Sequence, residues 1–469
     1  MTGSKECLLH LTSPKNWIND PNGFIYYKGM YHLFYQHFPY APRWGTMHWG
    51  HAVSRDLVHW KHLDIALFPT KDFDRNGVFS GSAVEVDEKL YLYYTGVQYE
   101  ECNEDDVHTA KDGKLISSQG LVISDDGFTF DNWNKKKQVI PVCHAPSIGD
   151  VSDLRDPYVW VRDGKFYMVL GTTEINVEDS SDKGAEQKTG VLLIYNSDNG
   201  EDWCLAERKC DKRFGYILEC PNLYQVDDKW IFTGSPIGIY HSENERSEET
   251  RPFQNMREIS ENQSVCYLAD FDEKSCHLEL SGDLQYVDYG FELYAPQTAV
   301  DEEGRRVLIG WMRMPKAVKE ENGEEWIGMM TIPRVVTVKD NHIFFQPHPN
   351  VRNAFVNGDL HIGNLKNADL KDTKYRILAD LKDGDQLQIG SFEILYKDDM
   401  LLTKRVIDGR VDIREVSLQG VRGCELEIFV DSHLIEIFIN NGLFVVSLTV
   451  YDLGQGIEGP VKEIYTLQK

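Results

Sequence analysis

LYLYYTG, residues 90–96, is an apolar run that opens directly after a turn, VDE, and closes on a glycine. It has counterparts along the chain: YHLFYQ (31–36), KFYMVLG (165–171), KWIFTG (229–234) and RRVLIG (305–310). Each is short, aromatic or β-branched and bounded by turn residues, which is strand chemistry rather than helix chemistry. The turns before the others read YKG, RDG, VDD and DEEG. A second element follows the first three runs: SRDLVHW (54–60), SDDGFTFDNW (124–133) and SDNGEDW (197–203). Its tryptophans, Trp60, Trp133 and Trp203, are 73 and 70 positions apart. Five units of this length, each holding several strands, predict an all-β chain built as a five-bladed β-propeller.

The repeat also sets a register. Asp20 lies 16 residues before Gln36, and Ser80 lies 16 before Gly96. Asp156, Glu219 and Ala295 lie 15 before Gly171, Gly234 and Gly310. All five fall near the start of the first strand of a unit, the strand that lines a propeller's channel. Asp20, Asp156 and Glu219 are therefore expected to converge on one axial pocket. Repulsion and desolvation make such a cluster costly, and a cluster kept at that cost points to chemistry.

After about residue 350 the pattern changes. LQIGSFEILY, GCELEIFVD, HLIEIFINNG and LFVVSLTVY alternate, with INNG (439–442) as a hairpin turn. Residues 1–350 are read as the propeller and 351–469 as a β-sandwich packed on it. Apart from Asp431 and a few neighbours, the sandwich shows no site. Acidic stretches at 99–114, 174–188 and 241–262 read as solvated loops.

The chain has 469 residues and a net charge of −26, from 49 basic and 75 acidic side chains. So negative a surface disfavours nucleic acid and anionic lipid as partners. The N-terminal residues carry no signal-peptide pattern, and no apolar run approaches a membrane span. Nine scattered cysteines without a CxxC pair fit reduced thiols in a cytoplasmic protein, with neither disulfide nor zinc frameworks.

The carboxylates sit in WINDPNG (17–23), LRDPYVW (154–160) and LECPNL (218–223). Proline after or near each one suits a strand that starts at a channel rim. Two carboxylates across a pocket are the minimum set for glycoside hydrolysis, one attacking the anomeric carbon and one protonating the leaving oxygen. Asn19 and Asn22 beside Asp20 suit an ionised nucleophile. Arg155 is expected to hold Asp156 ionised, and the apolar neighbours of Glu219 favour a raised pKa. Trp17, Trp44, Trp49, Phe79 and Trp311 offer faces for sugar C–H groups, while Asn19, Gln36 and Ser80 offer hydroxyl partners.

These motifs, together with WGTMHWGHAVSRDLVHW (44–60), FSGSA (79–83), DYGFELYAPQT (288–298) and LEIFVDSHLIEIFINNG (426–442), resemble glycoside hydrolase family 32, the β-fructosidases. The resemblance spans nearly the whole chain. It implies a five-bladed propeller plus a sandwich, no metal or other cofactor, and a retaining β-fructofuranosidase. In it Asp20 would be the nucleophile, Asp156 the transition-state stabiliser and Glu219 the acid/base. Trp17, Asn19, Gln36, Trp44, Phe79, Ser80, Arg155 and Trp311 would line the sugar pocket. Ile18 stands where the family has Met, and after GWM (310–312) this chain carries Arg313, Lys316 and Lys319. The size and apparent location resemble the sucrose-6-phosphate hydrolases, with Arg313, Lys316 and Arg43 as candidate phosphate partners. The alternatives are an intracellular fructo-oligosaccharide β-fructosidase, an enzyme acting on other furanosides, or a non-catalytic carbohydrate-binding propeller. A homodimer through a sandwich face is compatible with the sequence.

Overall fold

In the computed structural model the described residues are 6–145, 147–176, 187–238, 262–356 and 362–468. Most of the stretch 174–188 and nearly all of 241–262, both expected as loops, lie outside them. The chain is all-β, a propeller with a C-terminal β-sandwich, and it divides into two compact units. The first takes residues up to Tyr240 with Glu261–Gln285 and Tyr294–Met330; the second takes Tyr286–Leu293 and Thr331–Lys469.

In the first unit the runs used to set the repeat are all strands. YHLFYQ falls within Met30–Phe38, LYLYYTG within Lys89–Tyr99 and KFYMVLG within Lys165–Asn176. KWIFTG falls within Lys229–Ile237, and RRVLIG overlaps Arg306–Met312. Each pairs antiparallel with, or lies beside, the strand before it: Asn16–Tyr27, Gly77–Val86, Arg155–Arg162, Ile217–Val226 and Leu293–Val300. The turns between them use left-handed residues, as at Lys28–Gly29 (φ 47 and 79°) and Asp163–Gly164 (φ 49 and 77°). That is the turn whose twist matches two antiparallel strands. Side chains of adjacent sheets interdigitate. Tyr93 and Leu121 of one pack with Leu170, Val191 and Leu193 of the next, all with at most 0 % exposure.

The second repeated element is a turn. Ser54, Ser124 and Ser197 each accept at Oγ from the backbone N–H three residues on (Leu57, Gly127, Gly200; 2.8–2.9 Å). Asp56, Asp126 and Asn199 each accept two further N–H groups at Oδ1. Serine and Asx two apart thus satisfy a bend that strands cannot. The tryptophans that marked the repeat differ in fate: Trp60 is buried, whereas Trp133 is 65 % exposed.

The second unit holds two antiparallel sheets. One orders Phe355–Val356, Val461–Leu467, Tyr375–Leu381, Cys424–Val430, Leu434–Ile439 and Phe444–Thr449. The other orders Arg410–Ser417, Met400–Ile407, Phe392–Lys397, Gln386–Ile389 and Ile457–Glu458. Ile377, Ile428 and Ile437 of the first face Ile389, Ile394 and Leu401 of the second in one core.

Candidate active site

Each carboxylate-bearing strand breaks its ladder where the carboxylate sits. Register shifts fall between Ile18 and Pro21, Arg155 and Tyr158, and Glu219 and Asn222. The equivalent strand with Ser80 shifts between Phe79 and Gly81. These are β-bulges, and a bulge re-aims side chains that strict alternation would send into the sheet faces. Asp156 and Cys220 take left-handed φ values of 67 and 45°. Backbone donors on this inner strand, at the bulge and beyond it, are met by the neighbouring sheet: Asp156 N–H bonds Thr95 Oγ1 and Val159 N–H bonds Ser82 Oγ, both at 2.9 Å.

The bulges bring the three carboxylates to one cavity of about 410 Å³. All eleven residues singled out as site residues line it: Asp20, Asp156 and Glu219 with Trp17, Asn19, Gln36, Trp44, Phe79, Ser80, Arg155 and Trp311. Trp49, grouped with the pocket aromatics on sequence, is instead a fully buried core residue that donates Nε1–H to the Phe79 carbonyl.

Asp20 is tightly held. Ser80 Oγ–H donates to its Oδ2 at 2.6 Å and Asn19 Nδ2 to its Oδ1 at 3.1 Å, while Trp17 Nε1 fixes Asn19 at 2.8 Å. Burial raises the Asp20 pKa, and the Ser80 bond pulls it back. On the opposite wall Glu219 receives Arg155 Nη2 at 2.8 Å on Oε1 and Tyr294 Oη–H at 2.5 Å on Oε2. Asp156 accepts the Cys220 N–H at 2.8 Å. The Cys220 thiol lies 3.6 Å from both Asp20 Oδ2 and Asp156 Oδ2.

The expectation that Arg155 keeps Asp156 ionised is corrected here. The guanidinium spends its bonds on Glu219 and on Asp153 (3.0 Å), not on its sequence neighbour. Burial pushes Asp156 up to about 7; Arg155 opposes this, and the charges of Glu219 and Asp20 add to it. Adjacent strand residues point to opposite faces, so proximity in sequence is a poor guide to pairing.

Several contributors were missed on sequence. Tyr294, within DYGFELYAPQT, carries no sequence signal of its own: it adjoins Ala295, the fifth register position, whose methyl offers no chemistry. Asp153 and Ser152 precede the RDP motif and also line the cavity. So do Gly113 and Leu115, at the end of a stretch read as a solvated acidic loop. That loop is pinned instead: Asp106 pairs Arg43 at 2.8 Å and His108 Nδ1 bonds Thr46 Oγ1 at 3.0 Å. Arg43, Arg313 and Lys316 are not among the lining residues. Arg313 stacks over the Tyr294 ring at 4.9 Å and donates to the Asn262 carbonyl at 2.8 Å.

What this arrangement can do is limited by its charge. Four carboxylates and one guanidinium face the cavity, so an anion is repelled from its floor and a neutral polyol is favoured. Trp17 and Trp311 meet edge to face at 5.8 Å, and Trp44 and Phe79 at 5.6 Å, forming an aromatic wall for a sugar ring.

Comparison with known proteins agrees. A family model described as the glycosyl hydrolases family 32 N-terminal domain matches residues 10–347. The chain is similar to the sucrose-6-phosphate hydrolase of Bacillus subtilis, 32 % identical over 93 % of this chain and 87 % of that one. It is similar to the raffinose invertase of Escherichia coli, 30 % identical over 95 % and 89 %. Among solved structures it resembles the sucrose-6-phosphate hydrolase of Lactobacillus gasseri, with a TM-score of 0.78, 25 % identity and coverage of 98 % and 93 %.

Proposed function

The chain belongs to glycosyl hydrolase family 32 as a β-fructofuranosidase acting on sucrose or sucrose 6-phosphate, and we propose that Asp20, Asp156 and Glu219 carry its reaction by double displacement. Asp20 attacks the anomeric carbon of the fructosyl unit. Ser80 and Asn19 hold the attacking carboxylate in one orientation, which replaces solvent reorganisation by fixed dipoles. Glu219 gives a proton to the leaving oxygen, and glucose or glucose 6-phosphate departs. The fructosyl ester on Asp20 is then opened by water, with Glu219 taking the water's proton, so the configuration is retained. Asp156 grips fructose hydroxyls as positive charge develops on the ring. The observation that carries this reading is the convergence of three bulged strands, each delivering one carboxylate to one cavity.

The substrate is a soluble sugar met in the cytoplasm. Similarity to sucrose-6-phosphate hydrolases supports the phosphorylated form, and Arg313, stacked beside Trp311 through Tyr294, is the cation we assign to its phosphate. Arg43, the other arginine considered for the phosphate, is already engaged by Asp106 and Phe38; the fructo-oligosaccharide reading needs instead an open, uncharged outer pocket. Initial rates with sucrose, sucrose 6-phosphate and a fructose trisaccharide separate the two. A preference for the phosphate of about tenfold, ~1.4 kcal/mol, is expected, and Arg313→Ala should erase it. Equal losses on phosphorylated and plain sucrose would remove Arg313 from phosphate recognition, and better turnover of the trisaccharide would select the oligosaccharide.

A further inference from the structure

Cys220 follows Glu219 directly, at the point where the strand is interrupted. It lies in the bulge between Glu219 and Asn222, where the ladder provides no pairing. Cys220 is left-handed (φ 45°), a conformation that a side-chain-bearing residue keeps only when its surroundings insist. Across the groove Ala295 is also left-handed (φ 49°). One side chain ties both places together. Asn222, 2 % exposed, donates from Nδ2 to the Cys220 carbonyl at 2.9 Å and to the Pro296 carbonyl at 3.1 Å. The clamped carbonyl belongs to the Cys220–Pro221 peptide, one residue past Glu219, and the N–H of the same Cys220, in the peptide that joins it to Glu219, bonds Asp156 at 2.8 Å.

The clamp has a second end. Asn222 Oδ1 and Asn22 Nδ2 are both buried without a protein partner, one an acceptor and the other a donor. Both residues line a space of about 10 Å³ together with Ser80, Asp156 and Cys220. That space is the size of one water, which needs such a donor and acceptor to be held. Asn22 itself accepts the Gly81 N–H at 3.1 Å, beside the Ser80 that grips Asp20.

We propose that Asn222 is a positioning residue for the acid/base: its amide fixes the bulge that aims Glu219 at the leaving oxygen. The proposal rests on the reading of Glu219 given above. Asn222 does not line the sugar cavity, so its removal should leave binding largely intact and misdirect proton transfer. The loss must then depend on how much the leaving group needs a proton.

The test compares Asn222→Ala on sucrose and on an aryl β-fructofuranoside whose phenolate leaves without protonation. On sucrose kcat should fall roughly 10- to 100-fold with KM within about threefold. In kcat/KM, which reports only the step that forms the fructosyl ester, the fall on the aryl substrate should be at least about fivefold smaller than on sucrose. Equal losses of kcat/KM on the two substrates would mean a general structural role, and an unchanged kcat on sucrose would mean none; either overturns the proposal. If the alanine variant does not fold, Asn222→Ser, which keeps one short donor, is measured in the same way. Asp20→Asn is assayed alongside. Should it stay active, the reading of the pocket fails; should it be inactive while Asn222→Ala is silent, only the positioning role falls.

Discussion

The first unit buries a charge cluster around Arg155, and the second buries another around Arg334. In the second unit Arg334, 0 % exposed, bonds Asp288 at 2.9 Å and Glu436 at 2.6 Å, both through Nη2. The carboxylates are finished by backbone: Gly290 and Ser447 N–H groups meet Asp288 Oδ1, and Ile332 N–H meets Glu436 Oε1. Two acids share one arginine. Around Arg155 there are four acids to one arginine, and an open cavity on the far side. The ingredients are alike; the stoichiometry and the cavity differ. A closed cluster whose acids are met by arginine and backbone donors serves the fold, even with Arg334 Nε and Nη1 left unpartnered, whereas an acid-rich cluster facing space holds unspent negative charge, which is what a nucleophile and a transition-state stabiliser require.

The largest effect expected from this contrast is on rate. Asp20→Asn should lower kcat by about four orders of magnitude or more, ~5.5 kcal/mol of transition-state stabilisation, while the thermal unfolding midpoint stays within a few degrees of the parent. A variant retaining even a tenth of the parental rate on sucrose would place the nucleophile elsewhere. Next in size is Arg334→Ala. Leaving Asp288 and Glu436 buried and unpaired should cost about 3–5 kcal/mol of stability, read as a lower urea midpoint. Intact midpoint with lost activity would make the two clusters functionally alike and break the comparison.

Much of the site was legible because the repeat supplies a ruler. Once LYLYYTG and its counterparts are aligned, Asp20, Asp156 and Glu219 fall at one register position, and that position turned out to be bulged in each strand. What the register could not deliver was pairing between sheets. Arg155 binds Glu219, 64 residues on, rather than its neighbour Asp156. Tyr294 reaches Glu219 from a strand whose aligned residue, Ala295, is chemically silent. Trp49 reads like Trp44 in sequence, but Trp49 lies in the strand His48–Ser54 and faces the core, whereas Trp44 lies in the loop before that strand, at the rim and 37 % exposed. The acidic loop at 99–114 shows the same limit, since its composition reports solvation and not the Arg43 and Thr46 contacts that press it to the cavity.

The smallest effect reads the charge of one acid in the pocket, although burial raises Asp288 of the closed cluster as well. Burial pushes the Asp156 carboxyl from its ordinary 3.8 up to about 7. A carboxyl whose folded pKa is raised gives stability that is fully present below 3.8 and is lost as pH rises through about 7. At pH 8 the ionised Asp156 therefore strains the fold. A shift of this size corresponds to at most about 4 kcal/mol, and relaxation around the charge reduces what is felt to about half. Asp156→Asn keeps an acceptor for the Cys220 N–H and has no charge to bury. At pH 8 it should be more stable than the parent by about 2 kcal/mol and nearly inactive. At pH 4, where the parental carboxyl is protonated in the fold, the advantage should vanish. Urea midpoints of both proteins at the two pH values decide it. Equal midpoints at pH 8 would mean that the pocket accommodates the Asp156 charge in full, and that the acid-rich site is held at no cost to the fold. A stabilised and inactive variant would instead locate the cost of catalysis in one buried carboxylate, carried by the surrounding bulged strands.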